Sequence, residues 1–324
     1  MFQLEEFTVS KCTHFQMLPR FLYYQKELRS LDLSKNQFRG KLPIWLLENN
    51  TQLEEFRLSG NDFIGSFNLP SHAQPNIKSV KGHIPSGAWD MKHLQALDLS
   101  HNQFSGELPT EPAIPPLLAR LHLDTNKLIG EIPKSLFSIS LVSLDISQDS
   151  LSGMIPLWMG EMSRLSVLTM SHNQLQGLIP MELCNLSILQ FLNLSHNQFS
   201  GWFPFCFNHL GSLEHLFLNM NLLGGNLTHV LLDNSNLLTL DLSNNKFIGS
   251  IPQWIGDLST LNILFLKRNQ FEGEIPNHQC HLQILRMTDL SHNKLTGSIP
   301  RCLASSNSQQ RGRWRNPPGH QVRM

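Results

Sequence analysis

The stretch Leu237 to Leu261, LLTLDLSNNKFIGSIPQWIGDLSTL, decides the reading of the chain: apolar residues at 237, 240 and 242 are followed by Asn245, Gly249 and Pro252, and the pattern returns at a fixed period. With Asn245 as the reference rung, equivalent positions fall at Cys12, Asn36, Asn61, Asn102, Asn126, Asp149, Asn173, Asn197, Asn221, Asn269 and Asn293, mostly 24 residues apart. Twelve such units predict an α/β solenoid, in which each coil buries its apolar face against its neighbours and no separate globular cores form.

Each unit supplies one short strand, and strands stacked about 4.8 Å apart build a parallel sheet on the concave face. Leucines at unit positions one, four and six point inward. The amide of the ninth residue offers an acceptor and two N–H donors to backbone groups on either side. Cys12 and Asp149 are the weak rungs of that ladder, because a thiol bonds weakly and an ionised carboxylate cannot donate. The Gly four residues after each rung from Asn102 to Asn293 predicts a corner or a close approach that a Cβ would hinder. The Pro seven residues after most rungs (Pro133, Pro156, Pro180, Pro252, Pro276, Pro300) fits an edge or the start of a short helical turn.

Two places break the pattern. Asn61 and Asn102 are 41 residues apart, between one and two units. Within that interval Asn76 to Val80 begins a strand and Lys81 to Pro85 is already a turn, so a defective unit is expected near residues 64–93. After Cys302 the repeat stops, and residues 304–324, basic and nearly devoid of apolar side chains, read as a disordered tail following a solenoid of residues 1–303. Met1 opens inside a repeat with no capping segment, which reads as an internal cut.

Lys plus Arg and Asp plus Glu are 25 each, so no whole-molecule field recruits nucleic acid or anionic lipid. No apolar run in this chain spans a bilayer and no signal-peptide core opens it. No nucleophile–base pair, phosphate loop or metal-ligand set stands out, so the chain reads as non-enzymatic, with no cofactor. Cys184 and Cys206 repeat the proline offsets of Cys280 and Cys302, and neighbouring coils bring each pair within bridging range, predicting two disulfides and an oxidising compartment. None of the four stands at a leucine position, which argues against a buried apolar role, and Cys12 is left reduced. Sequons at Asn49, Asn185, Asn193 and Asn226 agree with that compartment.

Positions three, five, seven and eight face the concave surface. There the C-terminal half places Phe191, His215, Phe217, Ile263, Phe265, Lys267 and Arg268 where other units carry Ser, Thr or Asp; exposed aromatics with Arg predict a ligand-binding surface, the alternative being plain drift at positions the repeat leaves free. Six histidines (His101, His122, His172, His196, His215, His292) map to the same face, and the matched pair His172 and His196 is a candidate pH sensor.

The unit L-x-x-L-x-L-S-x-N-x-F-x-G-x-I-P resembles the plant extracellular subtype of leucine-rich repeat, and phrases such as SGELP and IPQWIGDLSTL resemble the ectodomains of plant receptor-like proteins. That resemblance implies a second strand at G-x-I-P. It also implies recognition of a peptide or pathogen-derived ligand for defence or development, signalling through partner receptor kinases, and a place on the extracellular side of the plasma membrane. A secreted polygalacturonase-inhibitor-like protein and a non-functional truncated product are the alternatives.

Overall fold

The computed structural model describes residues 2–12, 14–42, 44–66, 91–111, 114–227 and 231–304. Two parallel sheets run the length of the solenoid, one of 12 strands and one of 11. The larger, concave sheet takes one three-residue strand from each unit, from Glu6–Thr8 through Thr239–Asp241 to Met287–Asp289, every strand paired to its neighbour in register. The second sheet takes the G-x-I-P side of each unit, as at Lys246–Ser250, which pairs with Leu222–Asn226 and Gln270–Glu274.

Burial of the unit leucines between the two sheets is the core: Leu237, Leu240 and Leu242 have no exposed surface. A row of aromatics two residues after the rung joins them. Phe199, Phe247 and Phe271 are fully buried, and the last two stack with ring centroids 6.2 Å apart. On the outer side, short 3₁₀ helices start directly after the prolines, as at Gln253–Asp257 after Pro252. Proline serves there because its fixed φ suits the entry and the helix start needs no N–H from it.

The rung asparagines hold the coils together. Asn245 accepts the N–H of Leu223 on Oδ1 at 3.0 Å, while its Nδ2 donates to the carbonyls of Leu218 at 2.9 Å, Leu242 at 3.1 Å and Ser243 at 3.3 Å. One side chain thereby satisfies four backbone groups on two coils that water cannot reach. At the weak rungs less is satisfied. Cys12 keeps only a 3.5 Å contact from Sγ to the Ser10 carbonyl, and Asp149 accepts from Leu128 N at 2.8 Å while its Oδ2 is buried with no partner among the described residues.

Between Asn61 and Asn102 the ladder takes a single step: Glu55–Arg57 pairs directly with Ala96–Asp98, and Asn102 Nδ2 donates to the Leu58 carbonyl at 3.0 Å. The sequence reading of a defective unit near 64–93 falls mostly on residues 67–90, which lie outside the described residues, as does most of the 304–324 tail. Cys184 is bridged to Cys206 and Cys280 to Cys302, and Cys12 is a free thiol. The first bridge departs from the expectation about burial. Cys184 and Cys206 are both under 10% exposed because their helices Met181–Asn185 and Phe205–His209 press the bridge between two coils.

Coil spacing on the outer side depends on Gly160 and Gly256. A Cβ on Gly160 would run into the carbonyl oxygen of Glu182, and one on Gly256 into that of His278, both on the following helix. Gly211, with nothing within 4 Å of a built Cβ, is the natural control. Gly256→Ala should therefore lose about 1–3 kcal/mol of stability by overpacking, whereas Gly211→Ala should be neutral or slightly stabilising. Denaturant titration of the two variants checks this; equal midpoints would refute the close approach.

Candidate functional site

The concave sheet is lined by side chains at strand positions three and five, because alternate residues of each strand point away from the leucine core. Position five is fixed by its own unit. Asp32, Asp98, Asp241 and Asp289 each accept both the N–H and the hydroxyl of the serine two residues on, at 2.6–3.0 Å. Asn193 does the same with Ser195, at 3.0 and 2.7 Å. Much of the surface is thus polar but internally satisfied.

In the N-terminal half the charges are also paired within and across strands: Glu55 binds Arg57 of its own strand at 2.9 Å and Arg120 of the strand Arg120–His122 at 3.2 Å. In the C-terminal half the repeat residues give way to rings. Register sets Phe191 beside His215 and Asn193 beside Phe217. The rings of Phe191 and Phe217 lie 5.5 Å apart and those of Phe191 and His215 5.6 Å apart, and His215 Nδ1 lies 3.1 Å from the Thr239 hydroxyl. All three rings stay partly open to solvent on a surface that is otherwise polar. Ile263 and Phe265 continue the same rows beyond Thr239 and Asp241.

The structure separates the two predicted cations. Lys267 forms an ion pair with Asp289 at 3.2 Å, and its charge is largely answered within the sheet. Burial works to raise the Asp289 pKa, but the hydrogen bonds from Ser291 and the Lys267 ammonium outweigh it and hold the carboxyl below its ordinary value. Arg268 sits at position eight, where the backbone is left-handed with φ 52°, and stands exposed at the rim.

That left-handed corner recurs at position eight of every unit, and it corrects the placement of four histidines. His101, His172, His196 and His292 occupy it and line the rim, not the strand surface; only His122 and His215 stand on strands. Asn and His tolerate this backbone better than most residues, which explains the recurrence of S-H-N and S-N-N. His172 and His196 stack with centroids 3.9 Å apart, and burial lowers the pKa of both, with the neighbouring ring lowering that of His172 further.

Two carboxyls in the middle of the solenoid are displaced the other way. Burial, joined by the charges of Asp145 and Asp98, raises Asp124 to about 8, and burial chiefly, with Asp124 contributing, raises Asp149 to about 8. Burial thus favours the protonated carboxyl of Asp149 at neutral pH, while its Oδ2 stays without a partner among the described residues.

The family profile described as Leucine rich repeat matches residues 139–199, and a second profile of the same description matches 27–49, 93–113, 189–210, 236–258 and 284–306, together half of the chain. Cuscuta receptor 1 of Solanum lycopersicum is 40% identical in an alignment covering 74% of this chain and 26% of that protein. Receptor-like protein 13 of Arabidopsis thaliana is 36% identical over 52% of this chain and 16% of its own length. The chain thus spans about a quarter or less of these relatives. Among solved structures, the Arabidopsis receptor kinase HAESA in complex with the peptide hormone IDA and the co-receptor SERK1 superposes with TM-score 0.77 at 34% identity, covering 89% of this chain and 46% of that one. The ectodomain of the Arabidopsis receptor kinase GASSHO1/SCHENGEN3 in complex with CASPARIAN STRIP INTEGRITY FACTOR 2 gives 0.71 at 33%, over 88% and 35%. No helix among the described residues is long and apolar enough to cross a membrane.

The raised carboxyls make stability depend on pH. The folded chain holds protons on Asp124 and Asp149 that the unfolded chain releases above the ordinary aspartate value of 3.8, so their contribution is full below that value and is lost as pH rises to about 8. Asp149→Asn should reduce the fall in melting temperature between about pH 5 and about pH 8, and should be more stable than the parent at the upper end. Parallel profiles for parent and variant would contradict a protonated rung.

Proposed function

The chain belongs to the leucine-rich-repeat family of plant receptor-like proteins, and on that premise we propose that it is the ligand-recognition segment of such a receptor. In this reading a peptide or pathogen-derived molecule binds the C-terminal half of the concave sheet, partner receptor kinases carry the signal, and the segment faces the extracellular side of the plasma membrane. The observation that carries the reading is the open ring cluster of Phe191, His215 and Phe217 on a sheet whose position-five aspartates are held by their own serines and whose Glu55 is held by Arg57 and Arg120.

Ile263 and Phe265 extend the apolar track. Arg268, at the rim, offers a planar fork of donors to a carboxylate, while Lys267 is held by Asp289. The cluster binds and orients, and the activity proposed is recognition. The two bridges support the extracellular assignment, since such bonds persist where thiols are not kept reduced.

The test is a binding screen of the secreted chain against a panel of synthetic peptides, repeated with Phe217→Ala and Phe191→Ala. Each substitution should weaken a selected peptide by about 2 kcal/mol or more, the cost of truncating a central anchor. Arg57→Ala, in the salt-bridged half, should leave affinity unchanged. Parent-like binding by both phenylalanine variants would move the site off this cluster.

A further inference from the structure

The second sheet carries an apolar surface that the recognition reading does not use. Five residues after successive rungs stand Met154, Leu178 and Trp202, exposed at 67%, 65% and 75%, and beside them on the helix starts stand Leu157, Met181 and Phe205, at 62%, 46% and 66%. Glycines make room for the first column: Met154 lies against Gly177, Leu178 against Gly201, and Trp202 against Gly225, where ring atom Cε3 is 2.9 Å from the place a Cβ would take. Six large apolar side chains on three adjoining coils exceed the scattered exposure that a soluble surface normally shows. Their exposed parts come to roughly 800 Å², about what each partner gives to a stable protein–protein interface.

Both columns run in the same chemical order, from a flexible aliphatic or thioether side chain on the first coil to an aromatic ring on the third. That order is complementary to itself read backwards. A two-fold axis lying along the strands at Leu178 and Met181 reverses the coils of a second copy while keeping each column opposite its own kind. Met154 then faces the second copy's Trp202, Leu157 faces its Phe205, and Leu178 and Met181 meet their own counterparts, so every off-axis contact is made twice. A thioether against an indole is a favourable pairing, and unbranched methionine adapts to the ring it meets.

The polar neighbours suit the same axis. Beyond Met154 the first column continues to Glu131, and beyond Trp202 to the uncharged Asn226, whose amide reaches on over Gly249 and away from the patch. The axis therefore sets Glu131 against the Asn226 coil and not against another Glu131. Glu182, which follows Met181, lies back against Gly160 of the preceding coil, outside both columns.

We propose that two copies of the chain associate through this face, about a two-fold axis at Leu178 and Met181. The concave ring cluster is on the other sheet, so the inference stands apart from the functional reading and from its failure.

The test is sedimentation of the full chain, secreted with both bridges formed and trimmed with an endoglycosidase. The parent should reach twice the monomer mass. Leu178→Arg, which sets two cations together at the axis, should weaken association by about tenfold or more, while Ile248→Arg, exposed on the same sheet but off both columns, should leave it unchanged. Met154→Glu and Trp202→Lys should each associate less than the parent when alone and recover when mixed, because only the mixed pair opposes the new acid to the new base. A parent that stays monomeric at about 100 μM, above the micromolar range that interfaces of this area reach at their weakest, would overturn the proposal. Dimers that survive Leu178→Arg, or a mixture that associates no better than its components, would overturn it too. Capture of a monomeric parent by phosphatidylcholine vesicles would give the patch to a lipid surface instead.

Discussion

The rung asparagine is the interaction on which the structure depends. Its carboxamide has one acceptor and two donor hydrogens, and the coil geometry uses them on backbone groups of its own turn and the preceding one. Leucine burial supplies most of the driving force, but it is not directional and would tolerate coils slipping past one another. The amide fixes where each chain turns and how far one coil lies above the last, so the same register recurs from Glu6↔Ser30 to Ile263↔Met287. Asp149 shows the same demand from the other side: at this rung its buried Oδ2 finds no partner among the described residues, and burial chiefly pushes its carboxyl up to about 8.

With the scaffold set by repeated residues, specificity falls to the positions the repeat leaves free. On the concave sheet the aspartates at position five are held by their own serines, and Glu55 is held by Arg57 and Arg120, so these groups present a quiet polar field. Phe191, His215 and Phe217 interrupt that field where three adjoining strands let their rings meet. The outer sheet follows the same logic with another result, since Met154, Leu178 and Trp202 form a column only because each glycine ahead leaves room for them.

The period, the ladder, the inward leucines and the proline-started outer turns were legible in the sequence, because each follows from local chemistry repeated at a constant spacing. The cysteine pairs were legible for the same reason. What escaped was geometry that depends on two coils at once. Four histidines read as strand-face residues sit in a left-handed corner, and Gly60 and Asn244 at the same position were the available signal. Gly160 and Gly256 look like unremarkable loop residues until the following helix brings a carbonyl against them. Lys267 looks like a free cation until the register sets Asp289 one strand away, and the apolar column emerges only when residues 24 apart are placed side by side. The 41-residue interval is a further case: spacing alone counts it as nearly two units, whereas Asn61 and Asn102 serve adjacent coils.

The most direct test of the ladder as the organising constraint is amide hydrogen exchange in Asn221→Ala, read at Phe199, whose N–H donates to Asn221 Oδ1 at 3.0 Å. Removing the carboxamide strands buried backbone groups on two coils, at about 1–3 kcal/mol for each group left unpaired. The expected result is a marked loss of protection at Phe199, spreading through residues 194–226, while the coils near residues 28–58 keep theirs. Unchanged exchange at Phe199 would contradict the account, because leucine packing alone would then suffice to hold the coils in register.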